Sequence, residues 1–344
     1  MSDCCEKGCA CSPKKIVSIT KVNTFISFSD RIGGCKARWG IGRMKYEVQP
    51  GVYALGSTDV TSPVLVTANY KLTFDTLRKE LVGVNAWILV LDTKGINVWC
   101  AAGKGTFGTQ ELLNRIALTN LEGIVSHRTL ILPQLGAPGV SAHEITKQSG
   151  FRVVYGPVSA KDVKAFLDAG MKSTAEMRRV KFNAYDRLVL TPMEIVGALK
   201  PVIIVVLVGF FLNYFGIAKL GLIDLCAFLG SVFAGAVLAP VLLPWVPGKA
   251  FSFKGWFVGL IWALIVVGQG AGLTGISGTF AVLRGIEYFL VLPAVSAFLT
   301  MNFTGSSTYT SFSGVLKEMK IALPFILSAV VAGIVLLIVD SIIF

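Results

Sequence analysis

The chain has 344 residues, 53% of them hydrophobic and only 15% charged, against about 25% charged in an ordinary soluble domain. Its formal charge of +12 is unevenly placed: 26 of the 32 Lys and Arg and 16 of the 20 Asp and Glu lie in residues 1–200. This argues against a wholly soluble protein, and the scatter of the basic residues argues against a nucleic-acid partner. What remains is a basic, water-facing unit followed by one that sits in a lipid bilayer.

Residues 1–44 read as a polar arm. Val17–Thr20 and Thr24–Phe28 suggest short strands, while Gly33-Gly34 and Gly40–Gly42 interrupt any helix. Residues 45–170 read as one Rossmann-like α/β domain. Its expected strands are Pro63–Thr67, Ala86–Leu91, Thr129–Leu132 and Arg152–Tyr155, with a brief one at Val98-Trp99. Its expected helices are Phe74–Leu81 with Asp75 near the start, Phe107–Leu118 capped by Thr106, Val140–Lys147, and one opened by Ser159 or Lys161-Asp162 and running to Ala169. Short strands alternating with such helices favour a mainly parallel sheet covered on both faces.

Residues 171–192 form a basic linker, and residues 193–344 an all-α membrane domain of five transmembrane helices. The spans fall near Met193–Phe215, Leu222–Leu243, Gly255–Ala271, Ile276–Thr300 and Ile321–Phe344. Arg284 and Glu287 share a face of the fourth and are expected to neutralise each other. Lys249, Lys254, Lys317 and Lys320 lie in connections on one side and Lys219 alone on the other. Residues 1–192 are therefore expected in the cytoplasm and the C-terminus outside, in a cell inner membrane. The hydroxyl-rich stretch Gly305–Ser311 is either a docking loop or a wet loop.

Cys4, Cys5, Cys9 and Cys11 crowd the start, whereas Cys35, Cys100 and Cys226 lie far apart. This is no disulfide scaffold, and no secretory leader is expected, so a reducing cytosol fits. The N-terminal set lacks the spacing of a ferredoxin cluster. It is either a relay for a soft metal ion or an arm with incidental thiols.

The segment richest in chemistry is Asn97-Val98-Trp99-Cys100-Ala101-Ala102-Gly103-Lys104-Gly105, between the strand Ala86–Leu91 and the next helix. Connections at the carboxyl ends of parallel strands are where ligands bind. Small residues there let a large flat ligand approach the backbone, and Cys100 offers it one polarizable sulfur. A buried, inert thiol is the plainer account of Cys100. A phosphate loop is a rival account, since Gly103-Lys104-Gly105-Thr106 resembles its end, but the full pattern is absent: position 98 is Val and Lys104 is followed by Gly105. His127 and His143 form no tight metal pair.

The signature Asn97–Lys104, an α/β unit around it and a multi-span membrane half together resemble the HgcA family, the corrinoid proteins of microbial mercury methylation. Ser62–Lys71, and the run from Leu130 to Pro157, also resemble the corrinoid domain of the corrinoid iron–sulfur protein large subunit of the acetyl-CoA pathway. The resemblance implies a corrinoid-dependent methyltransferase that moves a methyl group from cobalt to Hg(II), forming methylmercury. The alternative it leaves is a corrinoid methyl carrier of an acetyl-CoA or other one-carbon pathway.

By the same resemblance, cobalamin or a related corrinoid is held base-off, with Cys100 as lower axial ligand to cobalt. A thiolate is a soft donor suited to a metal that changes oxidation state. Asn97 would shape the cap, with Val98 beside it, Trp99 would pack it, and Ala101, Ala102 and Gly103 would admit the ring. Lys104 would steady the loop or favour the thiolate. Gly136, Ala137, Gly139, Gly156 and Pro157 would approach the corrin or its tail, and Thr58 and Thr67 would add hydrogen bonds. The implied partners are a ferredoxin-like reductant with two [4Fe–4S] clusters and a methyl-folate-derived methyl donor.

Overall fold

The computed structural model describes residues 19–273, 279–307 and 312–343. Cys4, Cys5, Cys9 and Cys11, and much of the Gly305–Ser311 stretch, lie outside the described residues. The chain forms two units, Met1–Ala37 with Gly42–Arg179, and Arg38–Ile41 with Val180–Phe344.

A six-stranded sheet organises the first unit. Its strands are β1 (Thr20–Val22), β2 (Gly51–Leu55), β3 (Val64–Ala68), β4 (Ala86–Leu91), β5 (Thr129–Leu132) and β6 (Arg152–Tyr155), in the spatial order β1-β2-β4-β3-β5-β6. The strands β4-β3-β5-β6 are parallel, as their apolar runs suggest. At one edge β2 runs antiparallel to β4, and β1 follows β2. Side chains alternate between two cores. Trp87, Leu89 and Leu91 of β4 join one cluster, and Ala86, Ile88 and Val90 the other.

Helix α1 (Phe28–Arg38) precedes β2, and α2 (Lys71–Glu80) joins β3 to β4. The short α3 (Val98–Lys104) and α4 (Thr109–Leu118) follow β4, α5 (Ala142–Ser149) follows β5, and α6 (Val163–Asp168) follows β6. Phe74 of α2 and Val163 and Phe166 of α6 cover one face. Val98, Ala101 and Ala102 of α3, Leu112 and Ile116 of α4, and Ile145 of α5 cover the other.

Three local expectations are corrected. Val98-Trp99 opens a helix, not a strand. Thr106 caps nothing: α4 starts later, behind Gly108, and the Thr106 hydroxyl donates to the Ala101 carbonyl at 3.4 Å. Gly33 and Gly34, expected to interrupt a helix, lie inside α1 because neighbours press on them. A Cβ on Gly33 would stand 2.6 Å from the Tyr46 hydroxyl.

Asp75, expected near the start of its helix, lies inside α2, which begins at Lys71, and belongs to a network fastening α1 to α2. Lys71 Nζ lies 2.6 Å from both Asp30 and Asp75, and Arg78 pairs with Asp30 at 2.8 Å and Asp75 at 2.7 Å. Burial pushes the Asp30 pKa up, but hydrogen bonds from Lys71 and Ser27 outweigh it and hold the carboxyl well below the usual carboxylate range. Burial would lower Lys71, but its bonds to Asp30 and Asp75 raise it. The Asp30 contribution is complete above the ordinary aspartate value of 3.8 and is lost as pH falls through its lower folded value. The Lys71 contribution is lost only above 10.5. Amides of α1 are therefore expected to lose hydrogen-exchange protection in acid before the central strands do, with no such loss near neutrality.

The second unit contains α7 (Ala184–Leu188), α8 (Thr191–Tyr214), α9 (Leu222–Phe233), α10 (Ala239–Leu242), α11 (Phe251–Leu273), α12 (Thr279–Asn302) and α13 (Phe312–Ile343). Five helical segments among the described residues are long and apolar enough to cross a membrane: Ala184–Tyr214, Leu222–Leu242, Phe251–Gln269, Val282–Gly305 and Ser313–Ile342. The protein is thus a multi-pass membrane protein with an N-terminal α/β domain. A π turn at Ala234–Leu238 joins α9 to α10. Buried hydroxyls bond across the bundle, as where Ser296 Oγ donates to the Gly255 carbonyl at 2.7 Å.

Candidate functional site

From β3 the chain crosses by α2 over one face to β4. From β4 it returns by α3 and α4 over the other face to β5, on the far side of β3. The winding therefore reverses between β3 and β5, the position at which doubly wound sheets hold ligands beyond their carboxyl strand ends. These strands also part there. Their ladder consists of Val64 with Leu130 and Leu65 with Ile131, whereas β3 stays paired to β4 through Ala68.

Helix α3 borders this opening. Asn97 caps its N-terminus, its Oδ1 accepting from the Cys100 N–H at 2.9 Å. Gly105, with φ of 79°, ends it in a left-handed turn. The seven residues divide cleanly at helical spacing. Val98, Ala101 and Ala102 are buried in the core, while Trp99, Cys100, Gly103 and Lys104 face outward. Trp99, expected to pack the cap, is instead 40% exposed; Val98 and the two alanines do the packing. Cys100 is a free, exposed thiol rather than a buried one. A Cβ on Gly103 would meet no atom within 4 Å, so nothing within the fold requires glycine there. Asn97→Ala is expected to cost about 1 kcal/mol of domain stability by loss of the cap, read from denaturant unfolding, and Asn97→Asp far less.

The turn entering α3 is fixed by a group that motif reading overlooked. Asn69, buried just beyond β3, accepts through Oδ1 from the Thr93 N–H at 3.1 Å, the Thr93 hydroxyl at 2.8 Å and the Gly95 N–H at 3.0 Å. The Thr93 Oγ1 is also 2.7 Å from the Ile96 carbonyl. Glu111 of α4 accepts from the Asp92 N–H at 2.8 Å and pairs with Arg115 at 2.7 Å. A lone asparagine directly after an apolar strand was the available signal.

The segment Gln134–Gly139 after β5 packs on α3, and its glycines are explained by that packing. A Cβ on Gly139 would fall 2.1 Å from the Phe107 carbonyl oxygen and 3.1 Å from the Ala102 Cα, and one on Gly136 2.5 Å from the Phe107 ring. Ala137 lies in the same turn. Gly156 and Pro157 follow β6 at the same end of the sheet, with the Gly156 N–H donating to the Leu132 carbonyl at 2.8 Å.

Two expected contributors do not join this group. Thr58 follows β2, whose last residue Leu55 pairs with Ala86 at the start of β4. Because β2 runs opposite to β4, Thr58 lies at the far end of the sheet from Cys100. Thr67 is buried in β3 and, by alternation with Val66 and Ala68, faces the layer covered by α2 and α6 rather than α3. His127 is structural: Nε2 lies 2.9 Å from the Ser62 carbonyl, and Nδ1 accepts from the Thr129 N–H.

Fold and site together define a doubly wound α/β domain with a short, thiol-bearing helix at the carboxyl ends of its strands. Residues 42–167 match the family model described as the CO dehydrogenase/acetyl-CoA synthase delta subunit. Over 128 residues the chain is 35% identical to the acetyl-CoA decarbonylase/synthase complex subunit gamma of Methanothermobacter thermautotrophicus, covering 37% of this chain and 28% of that one. It is 32% identical over the same length to the Archaeoglobus fulgidus subunit gamma, covering 37% and 27%. It is 27% identical over 128 residues to the corrinoid/iron–sulfur protein large subunit of Moorella thermoacetica, covering 37% and 28%. The α/β domain is related to a domain of these proteins. The chain spans about a quarter of the length of these relatives, and the five membrane helices lie outside the matched segment.

Proposed function

We propose that the chain is a membrane-anchored corrinoid protein that passes a methyl group to Hg(II), and that Cys100 would supply the protein's donor to cobalt. The observation that carries the corrinoid assignment is the outward face of α3, where an exposed thiol sits one turn from Gly103 at the strand switch point. The fit can be tested on the residues themselves. Among the described residues no group of three His, Cys, Asp or Glu side chains is placed to hold a metal ion. A corrinoid, whose macrocycle holds its own cobalt, would need from the chain one donor side chain and an open face, which Cys100 and Gly103 offer. Bound there, the corrinoid supplies the organometallic chemistry of accepting and releasing the methyl group.

The chain's own residues supply position. Asn97 and Asn69 fix the entry to α3, Val98, Ala101 and Ala102 seat the helix in the core, and Gly103 leaves room beside the thiol. Lys104 places a positive charge one turn beyond Cys100. The turn Gln134–Gly139 supports α3 from behind, and Gly156 and Pro157 line the same end of the sheet.

The Hg(II) acceptor rests on the Asn97–Lys104 signature combined with the five-span half, the pairing that resembles the HgcA family. The second reading, a methyl carrier of an acetyl-CoA or other one-carbon pathway, is favoured by the names of the curated relatives, which bear on that reading and not on mercury. Under the first, the reductant is a ferredoxin-like protein with two [4Fe–4S] clusters, the donor is methyl-folate-derived, and the α/β domain is cytoplasmic with the C-terminus outside.

The test is anaerobic purification of the full chain, measurement of bound cobalt, and methyl transfer with the reducing partner to Hg(II). Formation of methylmercury supports the first reading. Bound cobalt with methyl transfer to an acetyl-CoA synthase but none to Hg(II) selects the second, and a preparation that never retains cobalt removes both.

A further inference from the structure

Helix α1 opens with a capping box: the Asp30 N–H donates to Ser27 Oγ and the Ser27 N–H to Asp30 Oδ2, both at 3.1 Å. Its inner face is fixed on α2. Gly34 and Ala37 are buried, a Cβ on Gly34 would stand 3.2 Å from the Leu72 side chain, and Asp30 holds Lys71 and Arg78. The outer face is fixed with it. Phe28, Ile32, Cys35 and Trp39 succeed one another at helical spacing, so they form one straight stripe that ends just past the helix. All four are exposed, Phe28 by 77%. The apolar surface continues through Ile41 and Met44, which are 63% and 65% exposed. None of these side chains joins a core cluster.

The stripe has basic margins. The helical period sets Arg31 along one side and Lys36 along the other, and Lys45 follows beyond the turn. All three are exposed, and none has an ion-pair partner among the described residues. Asp30, the one acidic residue from Phe28 to Lys45, is occupied by Lys71 and Arg78. An apolar stripe between cations suits a helix lying in the headgroup region of an anionic bilayer.

A second observation names the same occupant. Arg38–Ile41 belongs to the membrane unit. A Cβ on Gly40 would come 3.6 Å from Val196 Cγ1 and 3.7 Å from Met193 Sδ, in the first turns of α8. Val196, Leu199 and Ile203 of α8 are exposed within a segment of membrane length, Ala184–Tyr214, so the surface they present faces lipid. Trp39 and Ile41 flank a glycine seated on the start of that surface, the level at which tryptophan anchors a protein to the membrane interface.

We propose that α1 and the turn after it form an in-plane membrane anchor. The stripe from Phe28 to Met44 rests on the bilayer that holds α8, and Arg31, Lys36 and Lys45 meet anionic phospholipid headgroups.

The full-length protein is reconstituted in vesicles of phosphatidylcholine, alone or mixed with phosphatidylglycerol, each containing a phospholipid with a diazirine at headgroup depth. After illumination, lipid adducts are mapped by mass spectrometry, and adducts at the start of α8 show that the protein is inserted. The expected result is adducts over residues 28–45, more of them with phosphatidylglycerol, and that gain weakened by salt. Phe28→Ser combined with Ile32→Ser should lower this yield about tenfold or more. Labelling of α8 and thermal unfolding should stay as in the wild type, because neither side chain is part of a core. Arg31→Gln, Lys36→Gln and Lys45→Gln together should erase the gain from phosphatidylglycerol. No adduct over residues 28–45 while α8 is labelled overturns the proposal. So does a yield that the serine variant leaves unchanged or that phosphatidylglycerol does not raise. Disulfide cross-linking of Cys35 between two copies of the chain, in place of lipid adducts, would make this face a protein interface and overturns it as well.

Discussion

Alanine at position 100 is expected to abolish methyl transfer while leaving the protein folded and inserted. The Cys100 side chain is exposed and adds nothing to either core cluster, and the contact it makes in the cap runs through its backbone N–H to Asn97. Alanine keeps that N–H and favours the helix, so stability should change by no more than about 0.5 kcal/mol, as at other surface sites. Activity should behave differently. Even residues that merely support a metal's ligands cost about 10–100-fold when removed, so loss of the proposed donor should exceed that. The measurements are thermal unfolding, cobalt content, the sulfur contribution to the cobalt X-ray absorption spectrum, and methyl transfer. A well-folded Cys100→Ala protein with wild-type turnover would reject the assigned role.

The parts of the fold legible in sequence were those set by local apolar runs. Ala86–Leu91, Thr129–Leu132 and Arg152–Tyr155 form strands with the predicted ends, because each is a short run built around β-branched, aromatic or other apolar residues. Strand direction was not legible. Nothing in Gly51–Leu55 says that it runs against β4, and that reversal is what carries Thr58 to the wrong end of the sheet. Helix α3 was misread at its start, since Val98 and Trp99 favour strands locally. The capping Asn97 and the pair Ala101-Ala102 were the stronger signal. Likewise the i,i+3 spacing of Arg284 and Glu287 foretold their pairing, but Asp224 and Asp340 reach the same guanidinium from other helices, which only tertiary structure reveals.

Two glycine-to-alanine changes should separate the residues that build the site from those that meet its ligand, with opposite outcomes. Gly139→Ala places a Cβ 2.1 Å from a backbone oxygen that cannot rotate away. The turn Gln134–Gly139 must then lift from α3, at a cost of about 3 kcal/mol or more, and urea unfolding of the cobalt-free protein should show the loss. Gly103→Ala meets no atom of the chain within 4 Å and replaces a glycine within a helix, which should stabilise the cobalt-free protein by up to about 1 kcal/mol. If the corrin lies against this face, the added methyl group intrudes between ring and helix. Cobalt retention should fall although the protein is more stable. A Gly103→Ala protein that is stabilised and still binds cobalt as tightly as the wild type would place the ring elsewhere, leaving Cys100 without a ligand to meet. Stability and occupancy moving in opposite directions is a result that no purely structural role for Gly103 can produce.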